Sequence, residues 1–148
     1  MRPIKNYTSG VPIERTIGRI ETMLAETGAA SIHKDFEHGK LVALCFHVLL
    51  KDNRNVTIRL PANAIAVYET LRNEVKRPRK GTLDKLRLQA ERTAWKLMED
   101  WIAVQVSLIR LQQSELLEVF LPYVWDGSKT LYHAMKRQNF LALPETTS

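Results

Sequence analysis

Between Pro12 and Gly28 the apolar residues Ile13, Ile17, Ile20 and Leu24 return at helical intervals, and Glu14, Arg15, Arg19 and Glu21 occupy the positions between them. This spacing predicts an amphipathic helix that starts near Pro12, where the first turn tolerates a missing N–H, and stops at Gly28 in a left-handed conformation. Ahead of it, Ile4 to Ser9 reads as a short edge strand ended by Gly10. From Ala30 to Leu60 the period changes to two. Ile32, Lys34 and Phe36 alternate with Ser31, His33 and Asp35, and Val56, Ile58 and Leu60 alternate with Thr57 and Arg59. The turn-like clusters Glu37 to Lys40 and Lys51 to Arg54 divide the stretch into three strands of an antiparallel meander. The middle piece, Leu41 to Leu50, is apolar at nearly every position and is expected to be covered on both faces.

Pro61 closes the sheet, and Ala64, Tyr68, Leu71 and Val75 predict a second helix. A loop rich in Lys and Arg follows, and Thr82 is placed to cap the next helix through its hydroxyl. From Leu83 no glycine or proline appears until Pro122. Leu86, Ala90, Ala94, Leu97, Trp101, Val104, Leu108 and Leu111 lie close to a heptad seam, along a rod of about 40 Å at about 1.5 Å per residue. Met98, Ile102, Val106 and Ile109 widen the stripe. Such a helix is expected to bury one side on its own sheet and the other on a second copy, with Leu97, Trp101, Val104 and Leu108 at the interface. Ser114 begins a further turn with Leu116, Leu117 and Phe120, and Ser128 is expected to cap a last helix holding Leu131, Tyr132 and Met135. The fold class read from this order is α+β: a small antiparallel sheet of three to four strands packed with helices, one of them long. Residues 1–148 form a single domain, with a helix plus meander over 1–61, a helical part over 62–143 and a loose tail over 144–148.

A charged fraction of 26% beside 45% hydrophobic residues excludes a natively disordered chain. The opening residues lack the apolar run of a signal peptide, and no segment approaches the roughly 18 apolar residues of a membrane span, so neither export nor membrane insertion is expected. Cys45 is the only cysteine, which excludes an internal disulfide and suits a reducing compartment. The formal net charge of +6 favours anionic partners.

The four histidines, His33, His38, His47 and His133, show no zinc spacing, and no metal or cofactor is expected. Cys45 and His47, two apart on one strand, share a face as a nucleophile and base would, or as two core residues would. No phosphate loop, dinucleotide fingerprint or nucleophile elbow is present, so no catalytic residue is assigned. The carboxylate pairs Glu99 with Asp100 and Glu115 with Glu118 read as solvated helix faces, an acid/base or metal site needing partners that the sequence does not identify. Basic charge gathers at Arg72, Lys76, Arg77, Arg79, Lys80, Lys85 and Arg87; this is either a solubilising loop or, through Arg77, Arg79 and Lys80, a nucleic-acid contact. Arg92, Trp95, Lys96 and Glu99 follow at helical intervals, so two cations flank an indole that could stack on a base, or form the charged margin of a dimer seam. Phe120, Tyr123, Trp125 and Tyr132 read as core, with a ligand box as the alternative.

The order Lys5-Asn6-Tyr7-Thr8, Val11 to Ile17, Arg59-Leu60-Pro61, Ala90 to Trp95 with Trp101-Ile102, and Glu118 to Tyr123 is similar to a group of small proteins encoded by bacteriophages and prophages. The resemblance implies a phage origin, a bacterial host cytoplasm and an accessory or counter-defence role, and carries over no catalytic or binding residue. The expectation is therefore a non-enzymatic homo-oligomer that sequesters an anionic nucleotide-like ligand through Arg92, Trp95 and Lys96. Nucleic-acid binding and inhibition of a host protein stand as alternatives.

Overall fold

The helix expected after Pro12 forms as α1 (Ile13–Glu26), and the chain leaves it through Gly28 at φ 94°. The computed structural model describes residues 2–147. A meander follows, with strands β1 (Ala30–Glu37), β2 (Lys40–Leu49) and β3 (Asn55–Pro61) in the order β1-β2-β3, both pairs antiparallel. Next come α2 (Ala64–Asn73), the long α3 (Thr82–Arg110), a short α4 (Leu116–Phe120) running into a 3-10 turn at Leu121–Tyr123, and α5 (Leu131–Arg137). The fold is thus α+β with a three-stranded antiparallel sheet and five α-helices among the described residues. Among the described residues no helix is long and apolar enough to cross a membrane.

One face of the sheet carries the core. Leu44, Phe46 and Val48 of β2 and Ile58 and Leu60 of β3 pack against Ile17, Ile20 and Leu24 of α1, Trp95, Ile102 and Val106 of α3, and Phe120. Phe120 stands edge-on to Phe46 (5.4 Å between centroids) and to Trp101 (5.6 Å), an arrangement that adds about 0.5–1.5 kcal/mol per pair beyond burial. A second cluster joins Val67 and Leu71 of α2 to Ala90 and Ala94 of α3, where small alanines let the two helices approach closely.

Several expectations change here. Ile4 to Ser9 is a pair of turns and not a strand: Asn6 takes φ 65°, and the N–H groups of Tyr7 and Ser9 donate back to Ile4 and Asn6. The segment is bound to α3, because Gln89 Nε2 donates to the carbonyls of Tyr7 and Ser9, and Thr93 Oγ1 donates to that of Asn6. The Thr82 hydroxyl accepts from Arg79 N–H, and the α3 N-cap is Gly81. The last helix is capped by Thr130, whose side chain accepts from His133 N–H, and not by Ser128. Glu115 and Glu118 form a capping box at the start of α4, so they organise a helix end and are more than a solvated face.

The long apolar stripe of α3 is divided among partners within the chain. At about 100° per residue, Leu97, Val104 and Leu108 lie opposite the row that faces the sheet, whereas Trp101 lies on the flank and packs against the core cluster. The chain's own α2 covers Ala90 and Ala94, and Phe120 and Tyr123 pack on Trp101. Val104, 57% exposed, and Leu111, 74% exposed, face solvent.

Candidate functional site

Both faces of β2 are covered, as expected, with Ala43 and Cys45 buried on the second face beside the polar pair Asp35 and Arg59. Register sets the content of that face. His33, Cys45 and Arg59 are direct partners across the three strands, and Asp35, Ala43 and Pro61 form the neighbouring row. Asp35 on β1 and Arg59 on β3 meet across β2, Arg59 Nε donating to Asp35 Oδ2 at 3.1 Å. Adjacent strands lie about 4.8 Å apart, so this bridge spans two gaps and passes over the small side chains of Ala43 and Cys45. Both are buried, although the face around them is polar. The hydrogen bond from Arg59 holds the Asp35 carboxyl below its ordinary range. Cys45 Sγ donates to the same oxygen at 3.5 Å, and burial, with the Asp35 charge beside it, pushes the thiol up to about 11. Cys45 and His47 do share a face, as their spacing implied. The thiol is nevertheless held protonated and hydrogen-bonded to a carboxylate, which is the opposite of nucleophile activation.

Arg59 also reaches the other way, its guanidinium carbon 4.7 Å from the centre of the Trp125 ring. Trp125 follows the 3-10 turn and extends the sheet edge: its N–H donates to the Thr57 carbonyl at 2.8 Å, and Val124 bridges Ile58. The next residues are locked by Asp126. Its carboxylate accepts the N–H groups of Ser128 and Lys129, both at 2.8 Å, and pairs with Lys129 Nζ at 3.0 Å. Those backbone donors hold the Asp126 carboxyl far below its ordinary range. The turn delivers the chain into α5, where His133, Lys136 and Arg137 fall at i, i+3 and i+4 and share one side of the helix.

Between β3 and α5 lies a cleft of about 580 Å³ lined by Arg59, Pro61, Trp125, Ser128, Lys129, Thr130, His133, Lys136 and Arg137. Its charged lining is wholly basic. Arg59 and Lys129 have carboxylate partners, whereas Lys136 and Arg137 have none within ion-pair distance among the described residues. The Thr130 hydroxyl stands 2.8 Å from His133 Nδ1 and accepts from the His133 backbone N–H. That contact engages Nδ1 and leaves Nε2 as the ring nitrogen available to a ligand. Trp125 is half-buried, so its indole remains partly open to a ligand.

The residues singled out from the sequence lie elsewhere. Trp95 is 2% exposed and belongs to the core, so its faces are covered by protein and not open to a base. Lys96 is hydrogen-bonded to Glu99 and lies 3.6 Å from Asp100, and Arg92 is half-buried beside them. The three therefore share a stretch of α3 without forming a stacking site. Glu99 is not on a solvated face: it is buried, Arg19 approaches its Oε1 at 3.6 Å, an ion-pair distance too long for a hydrogen bond, and that oxygen has no hydrogen-bond donor among the described residues. Asp100 receives Lys5 Nζ at 2.7 Å and Asn6 Nδ2 at 2.8 Å; burial pushes its carboxyl up, but these donors outweigh that and bring it below its ordinary range. Arg77, Arg79 and Lys80 are exposed in the loop between α2 and α3, away from the cleft. Of the aromatic group expected in the core, Phe120 is fully buried, while Trp125 lines the cleft and Tyr132 is 49% exposed. The basic side of α5 was missed, although its signal, His133-x-x-Lys136-Arg137 after a capped turn, is present in the sequence.

Comparison of the chain with models of known protein families, with curated proteins and with solved structures gave no match.

Proposed function

We propose that the protein binds a small anionic, nucleotide-like ligand in the cleft between β3 and α5, and holds it without converting it. One observation carries this reading: a cleft whose charged lining is all basic places an aromatic ring beside Lys136 and Arg137. Its volume of about 580 Å³ falls in the range of roughly 300–1,000 Å³ typical of small-ligand sites. Phosphate oxygens suit the α5 cations and the His133 ring, and a base or other flat ring suits Trp125, whose indole already accepts a cation on one side.

The test is calorimetry with a panel of linear and cyclic nucleotides, with inorganic phosphate for comparison. Saturable binding is expected, and Trp125→Ala should weaken nucleotide binding by about 1–3 kcal/mol, the usual worth of one stacked base, while leaving phosphate binding nearly unchanged. No heat with any nucleotide, together with no thermal stabilisation at saturating concentration, would reject the reading.

A further inference from the structure

The row His33, Cys45 and Arg59, with Asp35 diagonal to Cys45, brings together donors that metal ions use. His33 offers an imidazole nitrogen, Asp35 a carboxylate oxygen and Cys45 a sulfur, and these atoms lie within 4.8 Å of one another. The cluster is built by the fold. Cross-strand pairing puts His33 directly opposite Cys45, and a β-bulge between Ala30 and His33, with Ser31 at φ 52°, sets the phase of β1. His33 and Asp35 are two apart on one strand, so both point to the face that Cys45 shares. Cys45 lies buried at the floor of the cluster beneath the Asp35–Arg59 bridge, while His33 is exposed and Asp35 half-buried.

We infer that His33, Asp35 and Cys45 form a binding site for one borderline divalent transition ion of the zinc(II) type. Three ligands of mixed nitrogen, oxygen and sulfur character suit that class, in contrast to calcium or magnesium, which take oxygen ligands. The fourth position falls to solvent. Arg59 is the cation already facing the site, and it bonds Asp35 through Oδ2, so Oδ1 is the oxygen left for an ion. Arg59 then acts as a positioning residue that orients the carboxylate, as partners of metal ligands commonly do. On binding, the Cys45 S–H bond breaks, a sulfur–metal bond forms and the proton passes to buffer, with no change of oxidation state. The sequence concealed this site because its ligands follow no short metal spacing. They come from two strands whose pairing sets the geometry.

Cobalt(II) chloride titrated into untagged, reduced protein in phosphate-free buffer reads the site directly, since a thiolate ligand gives cobalt a charge-transfer absorption band. A band that saturates at one cobalt per chain and is bleached by zinc chloride is expected. Cys45→Ser should lose the band. His33→Ala alters an exposed side chain and keeps the test valid even where the Cys45 variant folds poorly; it should weaken cobalt binding about tenfold or more. A wild-type protein without the band at millimolar cobalt, or a His33→Ala protein that binds cobalt as tightly as wild type, would overturn the site. Neither result bears on nucleotide binding in the α5 cleft, which is measured without metal.

Discussion

Cys45 shows how one residue takes its chemistry from its neighbours in the register. A thiol on the open side of a sheet is ordinarily accessible and titrates near 9, but here the Asp35–Arg59 bridge passes over it, and its pKa rises to about 11. Because the folded state prefers the protonated thiol, its contribution to stability is complete below the ordinary value of 9.0 and is lost as pH rises through about 11. Two units correspond to about 3 kcal/mol at most. Urea unfolding of chelator-treated protein at steps between pH 8 and about 11 should therefore show wild type losing more stability than Cys45→Ala, which has no thiol to titrate. Parallel curves for the two proteins across that window would show that the bridge does not shield the thiol. Glu99 is the reverse case, a carboxylate in the α3 row Trp95, Glu99, Ile102 and Val106 that otherwise faces the core; it is kept there by Lys96 and Arg19.

Among the elements, α4 and its 3-10 turn matter more than their length suggests, because Phe120 inserts between Phe46 of the sheet and Trp101 of α3 and is completely buried. Phe120→Ala should cost about 3–5 kcal/mol through lost burial and an unfilled cavity, read as a shift of the urea midpoint at unchanged slope. A loss below about 1 kcal/mol would mean that the segment is only loosely docked. Elements with a strong local period were legible in the sequence: α1 from its apolar spacing, the meander from alternation and two turn clusters, and α3 from its uninterrupted run. What escaped was decided by partners distant in the chain. Ile4 to Ser9 has strand-like composition but is drawn into turns by Gln89 and Thr93, eighty or more residues away. Arg92, Trp95 and Lys96 share one side of α3, as their spacing required, but that side turns inward, and periodicity does not say which stripe of a broadly apolar helix meets the sheet. The candidate cleft was less legible still, since Arg59 and α5 meet only through the bridges of Val124 and Trp125 to the sheet edge and the turn.

For the whole molecule, the formal net charge of +6 supplies a background attraction for any anion, so weak nucleotide binding alone would not identify the cleft. Location and charge can be separated. Replacing Arg77, Arg79 and Lys80 by alanine lowers the formal charge from +6 to +3 but changes only the exposed loop; replacing Lys136 and Arg137 lowers it from +6 to +4 and removes the cleft's unpaired cations. A general field would make the loop variant the weaker binder, whereas a built site makes the cleft variant the weaker. A nucleotide at about a hundred times its dissociation constant should stabilise the native state by about 2.7 kcal/mol, a rise in Tm of roughly 5–10 °C for a domain of this size. We expect that rise to persist in the loop variant and to vanish in the cleft variant at equal ligand concentration. Near-physiological salt should preserve the contrast, because exposed charges more than about 8 Å from the ligand are then largely screened while contacts inside the cleft are not. The reverse ranking, with the loop variant losing the rise, would move the binding surface to the α2–α3 loop and remove the basis for assigning it to α5.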